Sequence, residues 1–577
     1  MRGSPRQAPS PSFRLPVLGH LHLLAAYPTN PWEGFNAIRR RYGSVVRLQL
    51  GAFRSVLVSS TEAIREVLLL KGDAFADRPH FERHAIIFGR NRQNALALCD
   101  WSDIHKSRRS IAHAAVIPRF GTVTFHRLAD SIQGALGRML GELKEKQLQN
   151  LQTKNDDDNV GVTLTLDKDR LLRLCGAIFV HFLLEKEVAV DSAAFKEVTD
   201  RYDFIFYDIN QMYLCDFLPF LAPVTARRYL GQVAANSAVL MKFINDQVIE
   251  RYEQLVSEKK VEEEIVKEAS SASSSSAETS EKTALGTNNL DQQQQQTEQQ
   301  QTEQQPTLEA KYDEKSCDER FVDRLLLHKQ YQSSAQFLDF ILRHYLENRT
   351  VMTWDEALYE IADLVGGNSA VANLLVRLLG HLALNPEVQQ QLYEEAVSVL
   401  AGKGGPGEAE KTVPITLQDQ SQLPLTNAAI METLRLASSP IVPHLARYDT
   451  SIAGYLVPKG TMVLFNVYHL NLSSDLWPGP DANGPLSFRP SRFVTPEGNV
   501  LKPDYFFPFS HGRRSCLGYK MVNTVLFSTV ANLLLGYRIE AGSEANRARM
   551  AEMLAPKGSI ALPCDGSCYD LTLVPRS

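Results

Sequence analysis

One stretch near the C-terminus constrains this chain more than any other: Phe509-Ser-His-Gly512-Arg-Arg514-Ser-Cys516-Leu-Gly518. Each fixed residue has a separate task if a thiolate is to hold an iron porphyrin. Cys516 supplies one soft anionic ligand and pushes electron density onto the iron, which favours O–O cleavage. Gly512 lets the loop approach the porphyrin edge where a side chain would collide, and Gly518 permits a tight turn into a following helix. Arg514 offers a charge-assisted hydrogen bond to a haem propionate, and Phe509 packs over the sulfur side and excludes water. Average usage of these residue types puts a chance match at on the order of one in ten thousand for such a chain. The rival reading is a buried structural cysteine beside a basic surface turn.

The segment resembles the haem-binding loop of the cytochrome P-450 superfamily, F-x-x-G-x-R-x-C-x-G, and the resemblance extends along most of the chain. Phe488-Arg489-Pro490-Ser491-Arg492-Phe493 stands where the family has F-x-P-E-R-F, and Lys459-Gly-Thr461 lies in a two-strand pattern ahead of it. Glu432-Thr-Leu-Arg435 supplies the E-x-x-R pair, whose i, i+3 spacing puts both charges on one helix face. The resemblance adds Arg492 as the third member of a buried triad, an organiser of the loop more than a large source of stability. It also implies the fold: mainly α with a small β-rich region, and haem b buried between two long helices.

The central helix is expected over Trp354 to Leu384. Thr353 with Glu356 forms a capping box at its start, and about 31 residues span roughly 46 Å. In the family this helix carries A/G-G-x-D/E-T, and the matching residues are Gly366, Gly367, Asn368, Ser369 and Ala370. The glycine pair would let the helix widen locally, as π-type distortions do at functional sites. Ser369 replaces the acid and Ala370 the threonine, so the acid–alcohol pair that delivers protons is missing. Asn368 or Ser369 could hold a relay water, or the substrate could supply a hydroxyl. A tolerated loss and a different chemistry both stay open.

Propionate partners follow by position. The family carries W-x-x-x-R, but Trp101 lies seven residues before Arg108, with Ile104 in the expected place and His105 beside it. Of Arg108 and Arg109, Arg108 is the expected partner. His444, after Pro443, matches a Pro-His of animal members in which the imidazole reaches a propionate. A core-satisfied imidazole is the plain alternative for His105 and His444.

The rest of the chain fits one haem-binding domain over 31–577 behind a proline-rich segment, 1–30. Of its 577 residues 44% are hydrophobic, which suits a large core. A net charge of −5 gives no sign of a nucleic-acid partner. Seven cysteines without a disulfide rhythm suit a reducing compartment. Helices are expected at 31–42, closed by Gly43, at 61–70, in long stretches over 101–255, and from Pro386 with Asn385 as cap. Strands are expected at 45–50 and 55–58. From 257 to 316 Lys/Glu runs, a serine tract and Gln-rich repeats cannot bury enough apolar surface to offset ordering, so a disordered insertion is expected. Microsomal members begin with an apolar anchor of about 20 residues; none is seen in the first residues, and a truncated start is expected. The endoplasmic reticulum membrane is implied by the resemblance, ahead of the mitochondrion.

Within the superfamily, Ala95 to Asp103 with Arg108-Arg109, and the run Gly366 to Ala370, resemble the insect Spook and Spookier group of ecdysteroid-synthesis enzymes. The function implied is a monooxygenase that oxidises a sterol precursor of the moulting hormone, using dioxygen and electrons from a membrane-bound, NADPH-dependent flavoprotein reductase. Substrate contacts are expected from Phe81–Asn94, Ile205–Leu221, Gly366–Ala370, Ile441–Leu445 and Ile560–Leu562. A thiolate-haem isomerase or dehydratase, and a non-catalytic haem-binding protein, are the alternatives.

Overall fold

The computed structural model describes residues 6–152, 163–277, 337–347, 352–403, 414–479 and 484–576. Contacts divide the chain into two units, Met1–Val248 with Ala335–Ser577, and Ile249–Ser334. The helices that frame the site are α1 (Glu82–Ile87), α2 (Asp103–Val116), α3 (Lys168–Leu184), α4 (Ala193–Ile209), α5 (Arg227–Ala277), α6 (Trp354–Leu384), α7 (Pro424–Ala437) and α8 (Tyr519–Gly536). The strands are β1 (Val45–Leu50), β2 (Phe53–Val58), β3 (Leu164–Leu166), β4 (His444–Leu445), β5 (Thr450–Ile452), β6 (Tyr455–Val457), β7 (Met462–Phe465), β8 (Tyr537–Glu540) and β9 (Leu571–Pro575).

The largest sheet among the described residues runs β1-β2-β7-β4. Every residue of β7 is buried, as in strands covered on both faces. Its antiparallel register sets His444 opposite Val463 and so fixes the imidazole at the sheet edge. The proline-rich start is not a separate segment: Arg47 N–H donates to the Pro9 carbonyl at 2.8 Å and His20 N–H to Gln49 at 2.6 Å, which ties it along β1.

Helix α6 begins at the expected box: Thr353 Oγ1 accepts from Glu356 N–H at 3.2 Å, and Glu356 Oε2 accepts from Thr353 N–H at 2.8 Å. It is buried around most of its circumference, as an apolar helix inside a large domain should be. Its hydrogen bonding is α-helical throughout, so the expected widening at Gly366-Gly367 does not occur. The π turn lies elsewhere, at Glu66–Leu70, where it continues the short helix Thr61–Arg65. Asn385 holds the N-cap position of the helix Pro386–Gly402, but its side chain donates back to the His381 carbonyl at 2.7 Å instead of capping.

Two further expectations need correction or limits. Residues 257–277, assigned to a disordered insertion, are helical as the end of α5. Glu, Lys and Ala are strong helix formers and can extend a helix without an apolar face; composition alone does not separate that case from disorder. Residues 278–316 lie outside the described residues. No helix of the described residues is long and apolar enough to cross a membrane.

Candidate active site

The cysteine loop enters α8 through a tight bend. Ser510 and Gly512 take left-handed backbone, with φ of 58° and 73°. A Cβ on Gly512 would sit 2.2 Å from the Leu68 carbonyl oxygen of the π turn. Gly512 is therefore demanded by its φ and by this backbone contact, a reason the sequence reading did not contain. Gly518 has an ordinary φ of −85° and open space where a Cβ would lie, so the turn itself does not require glycine there. Cys516 N–H donates to the Phe509 carbonyl at 2.9 Å and closes the loop. The Phe509 ring is half-buried, 6.1 Å from that of Tyr519.

Cys516 is exposed, yet it is set deep among protein atoms. Burial pushes its thiol pKa up, while the backbone N–H groups of Gly518 and Tyr519 and the charge of Arg109 pull it down. An accessible sulfur whose charge is favoured by two backbone N–H groups and a nearby cation suits a thiolate ligand.

A cluster of deep-set cations lies nearby. Arg514 donates from Nε to the Ala76 carbonyl at 2.8 Å and from Nη2 to the Cys99 carbonyl at 2.7 Å, with Nη1 3.0 Å from His105 Nε2. Arg78 donates to the carbonyls of Ala97, Val442 and Pro443, and Arg109 donates to the Ser515 carbonyl in the cysteine loop. Burial, reinforced by repulsion from Arg514, lowers the pKa of Arg78 well below its ordinary value and that of Arg109 to about 10. His444 is 4% exposed, its Nε2 has no partner, and burial beside Arg78 and Arg514 keeps it neutral. Buried cations that repel one another and an orphaned imidazole nitrogen call for an anion. Two propionates fit that requirement.

Arg108 does not belong to this cluster. It is 1% exposed and pairs with Glu360 at 3.0 Å and Glu356 at 3.5 Å, facing α6. Arg108 therefore faces α6, whereas Arg109 takes the cysteine side. A shift of one residue turns a helical side chain by about 100°, enough to move it to another face. Trp101 precedes α2, and its ring lies over Arg513 and Arg514 at 5.7 and 5.2 Å. Ile104, in the family's tryptophan position, is 49% exposed.

Glu432, Arg435 and Arg492 come together as the sequence order implies. Arg435 donates to Glu432 through Nε at 2.7 Å and Nη2 at 2.8 Å, a bidentate pair, and Arg492 Nε lies 3.4 Å from Glu432 Oε1. Arg435 also donates to the Asn471 and Pro485 carbonyls, both at 2.7 Å, which binds α7 to the segment leading into the cysteine loop.

Above α6 lies an apolar cleft of about 190 Å³. Ile87 and Phe88 enter from α1 and its end, Tyr202 and Ile205 from α4, and Gly366, Gly367 and Ala370 from α6. Of the expected substrate segments, 81–94, 205–221 and 366–370 reach it; 441–445 and 560–562 are not in its wall. The glycines permit close packing: a Cβ on Gly366 would lie 3.1 Å from the Tyr202 ring, and one on Gly367 3.2 Å from Phe179. Asn368 and Ser369 do not line the cleft. Both are fully buried, with Asn368 Nδ2 bonded to the Val365 carbonyl at 2.6 Å and Ser369 Oγ 3.5 Å from Asn368 Oδ1. The carboxyl that faces the cleft is Asp363, whose pKa burial raises to about 6 although the backbone N–H groups of Ala97 and Leu96 and the charge of Arg108 pull it down. The period of α6 carried the signal, since Tyr359, Asp363, Gly366 and Ala370 fall at i, i+4, i+7 and i+11.

The Cytochrome P450 family model matches residues 9–562, and the chain belongs to this family of haem-dependent monooxygenases. Its members bind haem b through an axial cysteine thiolate and use dioxygen with electrons from a redox partner. Among relatives, the chain is 29% identical to Cytochrome P450 307a1 of Drosophila melanogaster over 99% of this chain and 89% of that one, in agreement with the insect group read from the motifs. It is 30% identical to farnesoate epoxidase of Bombyx mori over 37% of this chain and 42% of that one. Cytochrome P450 2U1 of Mus musculus is 31% identical over 39% and 38%.

Proposed function

We propose that Cys516 is the axial thiolate of haem b, with Arg109, Arg514 and His444 holding the propionates, in an enzyme that oxidises a sterol precursor of the insect moulting hormone. The observation that carries the site is the accessible Cys516 sulfur, whose charge the N–H groups of Gly518 and Tyr519 and the Arg109 guanidinium favour. Bound haem supplies a redox-active iron for oxygen activation. The chain's own contribution is to stabilise charge on the sulfur, neutralise the propionates, and present an apolar cleft that excludes water. Full-length likeness to an insect P450 and the apolar cleft support the substrate class. Electrons would come from an NADPH-dependent flavoprotein reductase at the endoplasmic reticulum membrane.

Reduced protein under carbon monoxide should show the red-shifted Soret band of thiolate ligation. Cys516→Ala should abolish it, and Cys99→Ala and Cys564→Ala should not. Purified enzyme with 7-dehydrosterol, reductase and NADPH should then form an oxidised sterol. Turnover that persists without reductase would replace oxidation by an isomerisation or dehydration.

A further inference from the structure

Next to the apolar cleft, one turn along α6 from Ala370, three buried polar side chains join four separate parts of the chain. Lys168 opens α3, Asp203 lies on α4 beside the cleft residue Tyr202, and Asn373 lies on α6; all three are buried. Lys168 Nζ pairs with Asp203 Oδ2 at 2.7 Å and donates to the Leu562 and Pro563 carbonyls at 3.0 and 2.9 Å. Asn373 Nδ2 donates to Asp203 Oδ1 at 2.7 Å and to the Ser369 carbonyl at 2.8 Å, while its Oδ1 accepts from Leu562 N–H at 2.8 Å. One turn further, Arg377 donates to the Ile560 and Ser559 carbonyls at 2.8 and 3.0 Å. The ammonium, the carboxylate and the amide are thereby all satisfied within the protein.

Such a network does more for geometry than for stability. Desolvation offsets most of the attraction in a buried ion pair, whose best-attested use is to hold one registry. The registry held here is that of α4 on α6, and the cleft beside it has little slack. A Cβ on Gly366 would meet Tyr202 Cδ1 and Cε1 at 3.1 Å. At about 190 Å³ the cleft is smaller than the ~300–1,000 Å³ of a pocket that encloses a drug-sized ligand. Tyr202 and Ile205 both stand on α4, so an outward shift of that helix moves them together and widens the slot.

We propose that Asp203 and Asn373 are positioning residues, which fix the span between α4 and α6 and so limit how thick a ligand the cleft admits. This rests on reading the cleft as the ligand site of a haem-dependent monooxygenase, but not on that ligand being a sterol.

Haem-loaded full-length protein is titrated with imidazole, phenylimidazole and triphenylmethylimidazole, and dissociation constants are read from the haem absorbance change. The three probes share one nitrogen ligand and differ in tail: none, flat, thick. Wild type should bind the flat probe more tightly than imidazole itself. Lys168→Met with Asp203→Leu removes the ion pair and the tie to Asn373. It should favour the thick probe over the flat one by about three- to tenfold more than wild type does. Its thermal midpoint should change little, since apolar replacement of a buried pair is often neutral. Asn373→Ala, which leaves the ion pair in place, should shift the ratio in the same direction. Lys168→Gln with Asp203→Asn removes both charges yet keeps an amide oxygen for Asn373, and should hold the wild-type ratio. A ratio unchanged in the two tie-breaking variants overturns the positioning role, even if their midpoints fall. So does an amide pair that shifts the ratio as far as the apolar pair. A flat tail that gains nothing over imidazole in wild type retires the cleft as the ligand site, and the positioning role with it.

Discussion

Arg108 sends its guanidinium to Glu360 at 3.0 Å, whereas the next residue, Arg109, donates to the Ser515 carbonyl in the cysteine loop. The two should therefore fail differently. Arg109→Met should lower the haem retained after purification, with modest change in the unfolding midpoint of what remains. Arg108→Met leaves Glu360 buried and uncompensated, a change typically worth about 3–5 kcal/mol. The sign of its pH dependence follows from Glu360. Burial already raises that carboxyl from 4.5 to about 7, with Arg108 the main force holding it down. A carboxyl raised on folding contributes stability below its unfolded value, and loses it as pH climbs through the folded value. Without Arg108 the folded value rises further. Denaturation should find Arg108→Met least harmful near pH 5 and most harmful near pH 8, and adding Glu360→Gln should flatten the difference. A pH-independent loss would mean that Glu360 is not the group left unpaired.

At the scale of elements, α6 holds the two glycines that the motif made conspicuous, and the structure gives them a packing role in place of a distortion. Gly366→Ala gains about 1 kcal/mol of helix propensity, while the added Cβ meets the Tyr202 ring at 3.1 Å. Net stability should shift by less than about 1 kcal/mol. An apolar ligand titrated against the haem-loaded variant should bind severalfold more weakly as the Tyr202 ring is displaced, read from the haem absorbance change; undiminished affinity would show that the ring yields freely. The capping box of α6, the hairpin β1–β2 and the Glu432–Arg435 pair were legible because each is local, set by spacings of a few residues. The cation cluster was not. Arg78, Arg109 and Arg514 are far apart in sequence, and nothing in a linear pattern says that three arginines will be buried within repelling range of one another. Trp101 lies outside α2, which starts after Ser102, whose side chain caps His105 N–H at 3.1 Å, so helical spacing does not place it. Tyr202 escaped notice altogether, since its place in the cleft wall is set by the packing of α4 on α6, elements far apart in sequence.

For the whole molecule, composition marks a change at 257, while contacts place the boundary of the second unit at Ile249 and the helical chain runs on to Ala277. The two disagree because polar helix formers keep extending a helix whose packed part has already ended. The part of this segment that follows Ala277 is rich in Gln, Glu and Thr and poor in apolar residues. Loop closure entropy grows only with the logarithm of length, about 0.6 kcal/mol per doubling. Replacing residues 278–316 by a short flexible linker should accordingly leave haem content and the carbon monoxide spectrum unchanged. Its thermal midpoint should hold or rise slightly, in the direction that shorter loops impose. Cutting back further, through 257–277, removes the end of α5 and should cost measurable stability. Loss of haem on the first deletion would show that the replaced residues pack against the haem-binding unit, and the reading of composition would fail with it.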